Sequence, residues 1–177
     1  LASGPGVYVK LKIPSDVYNI GDKILINNID LGANMSKGRT FLYKWQQDNS
    51  YQECTLDPNG YWTVPFPPSP VAGSNLCKIK AVVMLDHVTS ISDEKTLTIP
   101  GDRVLQYITV NGSEDYKAPN SITAKDEFII LGELQSGIEF QNRATTTGSE
   151  VTMEAGNYIS LKPGFEAQEG CYFHAFI

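Results

Sequence analysis

A two-residue alternation of apolar and polar side chains recurs along this chain, and no stretch shows the 3.6-residue period of an amphipathic helix. Val7–Ile13 alternates until Pro14, and Lys23–Asn27 follows a Gly21-Asp22 turn. Thr40–Gln46 sets Phe41, Tyr43 and Trp45 on one face. Tyr51–Leu56 and Tyr61–Phe66 come next, the latter with Trp62, Val64 and Phe66 together. Leu76–Leu85 turns Ile79, Ala81, Val83 and Leu85 inward and Lys78 and Lys80 outward, and Lys95–Ile99 closes the series. Between two of these runs, Asp57-Pro58-Asn59-Gly60 spells a turn: Pro58 fixes φ, and Gly60 tolerates positive φ. Short strands separated by turn signals predict a β-sandwich.

The far end has another rhythm. Val151–Met153, Ile159–Leu161 and Phe173–Ala175 are three-residue strand cores parted by corners holding Gly156, Gly164 and Gly170. Glycine permits backbone angles that side chains forbid. Strand cores at such spacing predict stacked rungs, each burying its apolar side against the next. A weaker version runs through Ile122-Thr-Ala and Phe128-Ile-Ile-Leu-Gly. In such a stack the rings of Phe165 and Phe173 are expected to be largely buried.

Charge marks the junction. The net charge is −6, from 14 Lys+Arg and 20 Asp+Glu, and residues 104–177 carry it all, with 4 basic against 10 acidic side chains. The break falls by the Pro100-Gly101-Asp102 turn, so the reading is all-β with two modules. They are a sandwich over 1–102 and a stacked short-strand module over 103–177.

Two resemblances follow. The Tyr43-Lys44-Trp45 stretch on the third strand, with the hairpin after it, is similar to Ig-like and PKD-like modules of bacterial surface proteins. The B-strand cysteine of antibody domains is missing. At the far end stand Ala155-Gly156-Asn157, Ile159-Ser160-Leu161-Lys162-Pro163-Gly164-Phe165 and Gly170-Cys171-Tyr172-Phe173-His174-Ala175-Phe176-Ile177. This combination resembles the 3-coathanger stack module found at the C-terminal ends of secreted and surface proteins of Bacteroidetes bacteria. The resemblance implies an extracytoplasmic accessory module and brings no catalytic residues with it.

The chemistry-bearing residues are sparse. The three cysteines, Cys54, Cys77 and Cys171, show no zinc-ligand spacing. Cys54 and Cys77 are read either as a disulfide or as two buried thiols. His87 and His174 are read as surface residues, since neither sits in a nucleophile motif. The Asp57 turn lacks the downstream ligands of a calcium loop. No catalytic, metal or cofactor site is therefore assigned. Tyr51 and Tyr61 are the aromatics that alternation turns outward, and they are the candidates for stacking on a ligand. No basic patch of the nucleic-acid-binding kind is visible in the sequence. No apolar run approaches the roughly 18 residues of a membrane span.

The expectation is a non-catalytic surface or secreted protein engaging an unknown protein or glycan at the cell envelope. The alternative is the accessory C-terminal region of a secreted hydrolase. No signal segment is read in Leu1–Gly6.

Overall fold

The computed structural model describes residues 10–27, 29–30, 38–84, 89–92, 94–132 and 148–177. The Val7–Val9 start of the first expected strand, the inward Leu85 and His87 lie outside them. Every regular element described is a strand, so the chain is all-β. No helix among the described residues is long and apolar enough to cross a membrane. The chain divides into two compact units between Pro100 and Gly101, with 70–73 joining the second.

The first unit holds β1 (Lys10–Leu11), β2 (Lys23–Leu25), β3 (Ile29–Asp30), β4 (Gly38–Trp45) and β5 (Gln52–Glu53). It continues with β6 (Tyr61–Thr63), β7 (Ser74–Met84), β8 (Thr89–Ile91) and β9 (Lys95–Pro100). All its strand pairs are antiparallel: β5-β4-β7 side by side, β9 and β8 sharing the far edge of β7, β2 with β6, and β1 with β3. The 11-residue β7 alternates without a break, with Cys77, Ile79, Ala81 and Val83 buried. Phe41 and Trp45 face the same core, joined by Ile24, Trp62, Val64, Leu97 and Ile99, while Tyr43 and Phe66 are partly buried against it. The Asp57 turn forms as spelled. Gly60 sits at φ 84°, the Gly60 N–H donates to the Asp57 carbonyl at 3.0 Å, and the Asp57 carboxylate accepts the N–H groups of Asn59 and Tyr61.

The second unit is a three-sided coil of three rungs. The first is β10 (Asp102–Leu105), β11 (Ile108–Val110) and β12 (Ser113–Ala118). The second is β13 (Ser121–Ala124), β14 (Phe128–Ile130) and β15 (Glu150–Ala155). The third is β16 (Tyr158–Leu161), β17 (Phe165–Ala167) and β18 (Tyr172–Phe176). Each strand pairs in parallel register with its counterpart one rung away, giving three sheets, β10-β13-β16, β11-β14-β17 and β12-β15-β18. The register stacks like on like: Ile122 over Ile159, Phe128 over Phe165, Val151 over Phe173. Rings continue through the coil, with Phe128 and Phe165 stacked at 5.9 Å and Phe165 and Phe173 tilted at 5.3 Å.

Two expectations are corrected here. Phe165 and Phe173 are only partly buried, because they lie on the third rung, whereas the second-rung Phe128 above them is fully buried. The corners also do not all use glycine alike. The residue before the middle strand of each rung has positive φ: 56° at Tyr107, 64° at Glu127 and 92° at Gly164. Only the third rung puts glycine there; the other two hold ordinary side chains in a conformation that disfavours them. Gly156 has no positive φ and is small for another reason, since a Cβ there would run into the Pro119 carbonyl.

One corner carries a ladder that alternation does not announce. The Asn157 side-chain amide donates to the Asn120 amide oxygen at 2.6 Å, and the Asn120 amide donates to the Asp102 carboxylate at 2.6 Å. The Ser121 hydroxyl donates to the same carboxylate oxygen at 2.6 Å. One polar side chain per rung thus ties the coil along its axis.

Candidate functional site

The outer face of the first unit's main sheet collects its exposed chemistry. Alternation along β4 sends Lys44 away from the core that holds Phe41 and Trp45, and alternation along β7 does the same to Lys78 and Lys80. The β4–β7 register then sets Lys44 directly opposite Lys78, with Lys80 two residues along. Like charges placed directly opposite each other in a sheet are destabilising. Three lysines gather here in a chain whose net charge is −6.

Tyr51 lies across this face. The Lys80 ammonium sits 3.8 Å from the centre of its ring and the Lys44 ammonium 5.2 Å. Glu94, just before β9, reaches Lys78 at 3.5 Å. The Tyr51 hydroxyl is buried and turns toward the Glu94 carboxylate without meeting strict hydrogen-bond geometry. Burial first, then this neighbour, pushes the tyrosine up to about 12. The same hydroxyl, followed by Lys78 and Lys80, holds Glu94 below the usual carboxylate range. Counting the described side chains named here, three cations face one carboxylate. The surplus positive charge suits a carboxylate, sulfate or phosphate on a partner.

Tyr51 is thus part of the site but not as a stacking platform, since a lysine covers its ring. Tyr61 is placed elsewhere, on β6 opposite Leu25, and is 37% exposed. The sequence reading missed Lys44 and Glu94 and saw no basic patch. The parity of each lysine was readable; the register that joins them across two strands 30 residues apart was not.

The disulfide reading is corrected. Cys54 and Cys77 are both free and buried. Cys54 follows β5 and its N–H donates to the Phe41 carbonyl, while Cys77 pairs with Trp45 from the opposite side of β4. The two cysteines are therefore two strand spacings apart, about 9–10 Å across the sheet, beyond the roughly 7 Å limit for a bridge. Burial, as the leading cause, pushes both thiols up to about 12, so neither is a thiolate nucleophile at neutral pH. Cys54 also lines a groove of about 400 Å³ with Arg39, Phe41 and Glu53.

Among the described residues, no three His, Cys, Asp or Glu side chains group as metal ligands. His174 is exposed and stacked on Phe176 at 6.3 Å. No family model, no curated protein and no solved structure matches the chain.

Proposed function

We propose that this is a non-catalytic binding protein of a bacterial cell surface or secretome, of the adhesion or accessory type, which grips an acidic glycan on the outer face of its N-terminal sheet. The observation that carries the reading is the Lys44–Lys78 pair, held directly opposite with Lys80 beside it. That arrangement is unfavourable alone and becomes favourable when an anionic group lies between the ammoniums. A glycan carrying isolated carboxylates or sulfates fits three closely spaced lysines. A nucleic acid, with a charge at every residue, meets repulsion from an acidic chain with pI near 4.9.

The envelope setting rests on the resemblances. The antiparallel sheets around buried Trp45 support an Ig-like first module. The three rungs of three short parallel strands support a 3-coathanger stack as the second.

The test is retention of the full chain on immobilised polyuronate, sulfated dextran, neutral dextran and duplex DNA at low and high salt. Salt-sensitive retention on one or both acidic polysaccharides, lost in Lys44→Ala/Lys78→Ala, is the expected result. Equal retention of that variant, or preference for DNA or neutral dextran, overturns the reading.

A further inference from the structure

The coil is closed at one end and open at the other. Following the inward columns by register shows the asymmetry. At the first rung, two columns end in charged residues: Arg103 above Ile122 and Glu114 above Val151. The Arg103 guanidinium lies 5.0 Å from the centre of the Tyr116 ring. Leu105, Val110, Tyr116 and Ala118 in that rung are all buried. Inward-pointing charges are a device for blunting sheet edges.

At the third rung the same columns end in Ile159, Leu161, Phe165, Ala167, Phe173 and Ala175, all apolar. Their second-rung counterparts Ile122, Ala124, Phe128, Ile130, Val151 and Met153 are each 0% exposed. Below them, Leu161 is 47% exposed, and Ala167 and Ala175 are also exposed. Strands β16, β17 and β18 pair on one side only among the described residues. Across their 12 residues Glu166 is the sole Lys, Arg, Asp or Glu. This end therefore lacks the charges that keep a strand edge single.

We propose that two copies of this chain join end to end through their third rungs. An occupant of this end must offer three strand edges and an apolar core together, and a second third rung offers both. Stacking the third rung on another copy's first rung would press Arg103 and Glu114 into the apolar mouth, so the contact is between like ends. It is then closed and two-fold rather than an open filament. Charge agrees: the strands that meet are the least charged part of a unit with 4 basic and 10 acidic side chains over 104–177, so like-charge repulsion is smallest there. This inference is independent of the glycan reading.

The experiment is sedimentation velocity of the full chain over a dilution series, with hydrogen exchange of the β16–β18 amides at each concentration. A dimer is expected at micromolar concentration, with edge amides gaining protection as it forms. Ala175→Glu and Ala167→Lys, at exposed end positions, should each weaken the dimer by roughly tenfold or more with unchanged circular dichroism. Thr109→Lys on β11 should leave it intact. A monomer at all concentrations overturns the proposal. So does a dimer that both end variants leave unchanged, or one in which the β16–β18 amides stay unprotected.

Discussion

The two units handle strand edges differently. In the first, one long strand organises the sheet: β7 has β4 along one edge and β9 and β8 in turn along the other. Its register follows from 11 residues of unbroken alternation, because a slip by one would turn Ile79 and Ala81 out and Lys78 and Lys80 in. In the second, no strand exceeds six residues, and none buries much alone. Cohesion comes from columns that run across rungs, apolar inside and Asp102–Asn120–Asn157 at one corner. The lesson is that the first unit is specified along the chain and the second across it. A substitution in the second should therefore be felt according to its rung.

The largest expected effect tests that rung dependence. Phe128 is 0% exposed between Tyr116 and Phe165. Phe128→Ala should cost about 3–5 kcal/mol and unfold the coil while the antiparallel unit keeps its own melting transition. Phe173→Ala, one rung on and half-buried, should cost roughly half as much. Calorimetric melts of the full chain read both. Equal losses would mean that the rungs are not stacked as described, and one shared transition would mean that the units do not fold separately.

The corner ladder comes next. Asn120 is 8% exposed and bonded to both rungs beside it. Asn120→Ala should cost about 1–3 kcal/mol by orphaning those partners, in the coil transition alone. Acid should act at the same place. The Ser121 and Asn120 hydrogen bonds hold Asp102 below its ordinary carboxylate value. Its stabilising contribution is thus present above about pH 4 and is lost as pH falls through the lower folded value. The coil should lose stability below that point, and Asp102→Asn should flatten the fall. A fall of the same slope in the variant would remove Asp102 as its source.

The smallest effect goes the other way. Glu127 holds a φ of 64° where the third rung has glycine. Glu127→Gly should relieve strain and raise the coil's melting temperature by a few degrees, worth about 0.5–1 kcal/mol. A lower melting temperature would show that the side chain outweighs the backbone there.

These contrasts also explain what the sequence disclosed. Trp45, Trp62, Val64 and the β7 residues declared their burial because period two is local. The third rung declared itself through Gly164 and Gly170, both at positive φ. The first two rungs were faint because Tyr107 and Glu127 occupy the same corner without glycine's signature. The separation of Cys54 from Cys77, the Lys44–Lys78 pair and the Asp102 ladder depend on which strands become neighbours, which local pattern leaves open.

The central claim is a division of labour: the antiparallel unit binds through Lys44, Lys78 and Lys80, and the coil does not touch the ligand. Amide chemical-shift mapping of the full chain during titration with an acidic oligosaccharide tests it directly. The account predicts shifts concentrated at Lys44, Tyr51, Lys78, Lys80 and Glu94, with none in β10–β18. Shifts centred on the coil, or none on the lysine face at saturation, would contradict it.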